Sequence, residues 1–441
     1  MTAIKYEFTK KHSFHGEFWQ DPNDNKGRFS ARIEYSSYDG LILDYCISDS
    51  DSPTTCERLY GVLNTGELCT LIGPFDFSQG KMHLGMARVF TGRHQFSIII
   101  FNGFYEESLK IECCYLSLHG LQEFIYPQGY ISQLKHSLEP ILSTEGDSWK
   151  LEVINTANFS VVGDGLLNII DCRNNKDALE ELSESFNVIK QKHPDACFML
   201  RKDLIFYFKY IKTDQDTVNS YISSIWDISG LLSILINKPI IPDELYFKFE
   251  NKQSKVPCLF TNNFEQRTID LALKKITHQT LPLNWKQIDI GKIFAKWFVI
   301  AGNYAPLTVT YQYETGYRTL HQAHADIILF STQLEAINVT LNGKSSEKYM
   351  KPIDEYASLF LRESLEKIFA SINDKSLGAN IATLRNELAH VDREKVLMKT
   401  LKLDDYIKIG IYLKAIIASH LLTTLGVEKS QIIIYQNRIT Q

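Results

Sequence analysis

Arg385, Asn386 and His390 are the residues here whose types and spacing are best suited to chemistry. They lie in LGANIATLRNELAH, from Leu377 to His390, a stretch with no Pro and one early Gly. At about 100° per residue on a helix, Asn386 and His390 share a face and Arg385 sits on its flank. The set suits a phosphodiester that carries its own nucleophile. An imidazole titrating near neutrality can take a proton from a ribose 2′-hydroxyl or give one to a leaving oxygen. A guanidinium can hold a phosphate with two N–H groups and stabilise the added charge on five-coordinate phosphorus. Such a step needs no metal or other cofactor. The competing reading is a solvated helix end, where Arg and His suit the helix dipole.

Other constellations are weaker. His321 and His324, with Asp326 nearby, could seed a metal-dependent hydrolase, but no residue stands at a spacing suited to complete the ligand set. They read better as polar decoration of a first helical turn, with His324 a candidate RNA contact. Arg393, Lys395 and Lys399, followed by Lys402, form either a phosphate-tracking run or a solvated face. VVGDG and GLLNIIDC contain Gly but no phosphate-loop pattern. Phe18, Trp19 and Tyr38 are candidates for a recognition surface, against the alternative of a sheet core.

The elements that must position these residues are legible in outline. RFSARIEYSSYDGLILDYCI alternates apolar and polar residues and turns at Asp39-Gly40; LYGVLNTGELCTLIGPF does the same around Asn64-Thr65-Gly66. These patterns predict an antiparallel sheet or sandwich over roughly residues 12–118. The middle mixes strands (WKLEVINTANFSVVGDGLLNIIDC, DLIFYFKYIKT, DELYFKFENK) with one helix ending at Asn237-Lys238-Pro239. Beyond about residue 290, five helical stretches with short links predict an up-and-down bundle. The expected fold is α+β: a β-rich region at 1–125, a mixed lobe at 126–289 and an all-α domain at 290–441.

Composition bounds the function. The chain has 441 residues, 44% hydrophobic and 22% charged, with a net charge of −5, which excludes a polycation that coats nucleic acid. Residues 291–441 carry 18 Lys and Arg against 15 Asp and Glu, so a contact with a polyanion falls most naturally there. Eight cysteines lack any Cys-x-x-Cys pair and read as free thiols in a reducing compartment. The N-terminus lacks the apolar core of a signal peptide. YIKIGIYLKAIIASHLLTTLG is the most membrane-like run, but Lys408, Lys414 and His420 interrupt it, so a buried or dimer-forming helix is expected. A cytoplasmic protein with no membrane partner is the expectation.

LRNELAH in a C-terminal helical setting resembles the HEPN superfamily, whose ribonucleases carry an Arg-x4-6-His motif on a helix and act as dimers. HGEFWQDPNDNKGRFSARIEYSSYDGLILDYCI, with RLYGVLNTGELCTLIGPF after it, is similar to the β-rich domain ahead of HEPN in ApeA-type proteins of anti-phage defence. The resemblance carried by Gly16-Glu17-Phe18-Trp19, Gly27 and the Gly61…Gly66…Thr70-Leu71 hairpin covers both ends of the chain. It implies a homodimer through the HEPN domain and a metal-independent endoribonuclease leaving 2′,3′-cyclic phosphate and 5′-hydroxyl ends. Arg385 would hold the scissile phosphate, His390 would be the general acid and base, and Asn386 would support them. Glu335 is the candidate for an acidic residue facing the motif from an earlier helix. Transfer RNA is among the candidate substrates, and a phage component is the implied trigger. The alternative is a non-catalytic HEPN module that binds RNA or protein.

Overall fold

The computed structural model describes residues 5–440 apart from 25–26, 49–54, 77–80, 85–87, 127–135, 163–165, 214–216, 251, 278, 345–348, 371 and 373–374. The VVGDG glycines, Gly163 and Gly165, lie outside the described residues.

The first hairpins form where alternation demands them. β1 (His12–Trp19), β2 (Phe29–Ser36) and β3 (Gly40–Ser48) point Phe14, Phe18, Phe29, Ile33, Leu41 and Leu43 inward. Ser13, His15, Glu17, Ser30 and Arg32 face out. Gly40 closes the β2–β3 turn at φ +77°, and an added Cβ would meet the Thr261 side chain. β4 (Cys56–Leu63) and β5 (Leu68–Phe75) pair around Asn64-Thr65-Gly66, and β6 (Lys81–Leu84) pairs with β7 (Arg88–Phe96). β7 runs through Ser97 alone into β8 (Ile98–Phe101). Since β3 pairs with β7, and β8 with β5, the strands β5-β4-β1-β2-β3-β7/β8 close into a ring around an aromatic core. Phe18 lies in that core, Trp19 is buried beside Phe104, and Tyr38 is exposed.

The sheet does not stop at the first region. β9 (Ile111–Leu118) leads through α1 (Leu121–Ile125) to β10 (Leu142–Glu145) and the long β11 (Trp149–Val161). The expected strand past Val161 is instead a short 3-10 turn at Leu166–Asn168, followed by α2 (Lys176–Lys192). β12 (Met199–Lys212), α3 (Val218–Ile236), β13 (Pro242–Phe249) and β14 (Val256–Phe260) complete this half. β9 lies between β12 and β13, and β14 pairs with β8, so strands from before and after residue 125 share one antiparallel sheet.

The rest is helical: α4 (Gln266–Leu273), α5 (Ile290–Ile300), α6 (Ala305–Gln312), α7 (Leu320–Thr340), α8 (Met350–Tyr356), α9 (Leu359–Ala370), α10 (Leu377–Ala389), α11 (Leu397–Thr400), α12 (Leu403–Leu425) and α13 (Lys429–Thr440). The single helix expected over 353–373 breaks at Ala357, whose backbone is extended (ψ 137°). α3 is the plate between sheet and bundle. Its carbonyls receive bonds from the Gln312 amide, the Trp297 indole and the Tyr435 hydroxyl. α12 is long and apolar enough to cross a membrane by length and composition, but most of it is buried, packing against α7, α8, α9 and α13.

All eight cysteines are free, and both neighbours Cys113 and Cys114 are buried.

Candidate active site

α10 begins at Ser376, whose hydroxyl accepts the Ala379 N–H, and buries Leu377, Ile381 and Leu384 against the bundle. Arg385 and Asn386 are half-buried, and the Arg385 Nη1 donates to the Asn386 Oδ1 at 3.2 Å. The Arg385 Nε is buried with no hydrogen-bond acceptor in the protomer. A guanidinium N–H without a protein acceptor is a donor suited to an anionic oxygen.

His390 departs from the expected geometry. The helix ends at Ala389, and His390 is its C-cap, with extended backbone (φ −121°, ψ 131°) and an exposed side chain. Its N–H still bonds the Asn386 carbonyl at 3.0 Å. His390 therefore stands at the helix end, one turn beyond Asn386, where its backbone leaves the helical path.

Two residues hold that exit in place. Glu387, 3% exposed, accepts the N–H groups of Leu397 (3.2 Å) and Met398 (2.9 Å) with its two carboxylate oxygens, fastening α11 back onto α10. Lys395 donates to the carbonyls of Glu387 and His390, satisfying carbonyls that the helix end leaves open. Neither role was legible beforehand, because both depend on a loop folding back. Lys395 thus spends protons of its ammonium inside the protomer, whereas Arg393 and Lys399 are exposed.

His324 and Glu335 lie on α7, which packs against α10. Glu335 is half-buried. His324 packs edge-on against the Tyr406 ring at 4.5 Å, and its Nε2 is buried without a partner. Burial, with a smaller contribution from His321, pushes its imidazolium below the ordinary range. The Tyr406 hydroxyl donates to the Met398 carbonyl at 3.2 Å, so His324 reaches the clasp through one ring. Asp326 is held by Arg318 at 2.8 Å, and among the described residues no three His, Cys, Asp or Glu side chains gather as a metal site.

Behind Tyr406 lies a cavity of about 280 Å³, walled by Arg318, Asp326, Phe330, Ile407 and Lys414. A larger concavity, about 1040 Å³, lies on the β-ring between His15, Glu17, Asp44, Thr91 and Arg93, and touches none of the motif residues.

A family model described as ApeA N-terminal domain 1 matches residues 13–297, and one described as Apea-like HEPN matches residues 315–431. The chain belongs to the ApeA family. No curated protein matches it, and no solved structure does. The first match in this ApeA-family chain spans nearly the whole sheet with α3 and α4, and the second spans α7 to α12 with the start of α13. Arg385, Asn386, His390 and Glu387 all fall within the HEPN match, as do His324, Glu335, Arg393, Lys395 and Lys399.

Proposed function

We propose that this chain is an anti-phage HEPN endoribonuclease that cuts RNA without a metal. The observation that supports it most directly is the Arg385 guanidinium. It is half-buried beside Asn386, with an unmatched Nε, one turn from an exposed imidazole at the end of α10. In the proposed step an imidazole of His390 takes the 2′-hydroxyl proton as the 2′-oxygen bonds to phosphorus. The phosphorus–5′-oxygen bond breaks, and the leaving oxygen takes a proton from an imidazolium. Arg385 holds the non-bridging oxygens, and Asn386 orients Arg385. The products are a 2′,3′-cyclic phosphate and a 5′-hydroxyl.

Two copies of the chain would supply the two imidazoles across a groove between HEPN domains. Val391, 98% exposed, with the exposed Val396 and Leu403, supplies apolar surface for such a contact beside the motif. Arg393 and Lys399 would follow the RNA backbone. The β-ring would read the phage component that releases a latent dimer.

The test is purified chain on total RNA in EDTA, paired with infected cells carrying the wild-type or His390→Ala chain. New 5′-hydroxyl ends are expected with wild type and about 10²–10⁴-fold fewer with His390→Ala. Equal cleavage by both chains would sink the assignment. RNA binding without any new ends, in infected cells as well, would establish the non-catalytic module instead.

A further inference from the structure

The arm beyond β11 and β12 is the feature that the proposed nuclease does not use. Past a bulge at Asn158–Phe159, among the described residues, β11 pairs only with β12, while β12 meets β9 only at Phe208–Tyr210. The hairpin therefore runs on as two strands, with α2 hung between them. α2 is well made, capped by Asn175, whose side chain accepts the N–H groups of Asp177 and Ala178. Yet not one of its residues is buried. Leu182 and Ile189 are 47% and 45% exposed. With Ala178 and Ser185, both exposed, they fall at spacings of four, three and four, one stripe of a helix face. A free helix gains little from such a stripe; a second helix laid on it does.

We propose that α2 is a self-association surface, pairing antiparallel with α2 of a second copy of this chain. Two features select that occupant. The first is shape: a two-fold axis at the middle of the stripe sets Leu182 opposite Ser185 of the second copy and Ala178 opposite Ile189, so each large side chain meets a small one. A parallel pair would set large on large. The second is charge. The first half of α2 carries Asp177, Glu180, Glu181 and Glu184 against one cation, Lys176, and its last turn carries Lys190 and Lys192. Antiparallel pairing brings acidic half to basic half twice, as an isologous interface must. A 17-residue helix is about 25 Å long. One such pair falls short of the roughly 1,200–2,000 Å² of stable complexes, so the contact forms and breaks with concentration.

Sedimentation velocity on the full chain tests this without reference to RNA. Leu182→Glu/Ile189→Glu leaves the core untouched and should keep the wild-type melting temperature. The concentration at which the largest species half-forms should rise at least about tenfold. Glu180→Lys/Glu181→Lys and Lys190→Glu/Lys192→Glu should each weaken association, and an equimolar mixture should restore it. A Leu182→Glu/Ile189→Glu chain whose mass tracks wild type at every concentration overturns the proposal. So does a mixture no heavier than its separate components.

Discussion

The Glu387 carboxylate holds the Met398 N–H at 2.9 Å, across the loop that follows His390. With its other oxygen on Leu397 N–H, the side chain ties the start of α11 to the end of α10. His390 leaves the helix between these two anchors. Glu387→Gln keeps the shape but turns an amide N–H toward one backbone N–H, leaving a donor unmet. The expected cost is about 1–3 kcal/mol, read as a lower urea midpoint. If the loop positions the imidazole, kcat for RNA should fall while KM holds. Faster amide exchange at Met398 should accompany it. A variant that loses stability but cleaves at the wild-type rate would leave Glu387 a purely structural clasp.

Arg385→Lys separates grip from charge. Lysine keeps the positive charge but lacks the planar fork that can hold two phosphate oxygens. It also removes the unmatched buried Nε. The expected outcome is a melting temperature equal to wild type or higher, with single-turnover cleavage slower by about 10²–10³-fold. Unchanged cleavage would remove Arg385 from the proposed transition state.

Local chemistry was legible, and long-range pairing was not. The turn at Gly40 (φ +77°), the stop at Asn237 (φ +56°) and the end of α12 at Gly426 (φ +91°) each lie where residue type alone placed them. α2 was missed because its apolar residues meet no core, which leaves a weak pattern. α13 was missed because three consecutive isoleucines, Ile432 to Ile434, mask a helical period. That β9 separates β12 from β13 depends on partners about a hundred residues apart, for which no local pattern exists. Type and spacing are what single out Arg385, Asn386 and His390 as candidates. The backbone path after His390 is fastened by Glu387 and Lys395 across a loop, which spacing cannot encode.

Two half-buried histidines of the helical bundle predict sensitivity to mild acid. Burial pushes down the imidazolium of His324, and likewise that of His420, whose Nδ1 is 2.9 Å from the Tyr304 hydroxyl. The unfolded chain binds a proton near pH 6.5 at each, and the folded chain only at lower pH. Their contribution is therefore present above pH 6.5 and is lost as pH falls toward the folded values. Asp227, raised to about 6 by burial, opposes this, because it favours folding as pH falls from 6 toward 3.8. Comparing urea midpoints at pH 7.5 and 5.5 between the two chains isolates the His420 contribution: His420→Gln should lose less between the two than wild type. An equal loss would show that His420 titrates alike in both states.

The last prediction concerns the charges behind Tyr406. Arg318 donates to Glu314 at 2.6 Å and to Asp326 at 2.8 Å, and Lys414 lies 3.5 Å from Glu314 with its ammonium over the Tyr311 ring. Burial alone would raise the Glu314 carboxyl, but the Arg318 hydrogen bond and the nearby Lys414 outweigh it and hold it below the usual range. Burial pushes Lys414 down to about 8 against the pull of Glu314. Arg318→Met strands two carboxylates with one lysine and should cost about 3–5 kcal/mol. Adding Glu314→Gln removes one stranded charge and should recover part of the loss, a coupling of at least about 1 kcal/mol in a double-mutant cycle. The acid limb gives the same answer independently. The Glu314 contribution is present above its unfolded pKa of about 4.5 and is lost as pH falls through the lower folded value. Wild type should therefore lose stability below about pH 4.5 more steeply than Arg318→Met, which no longer depresses that carboxyl. Additive single-variant costs, together with parallel acid limbs, would mean that Arg318 and Glu314 do not act as a pair.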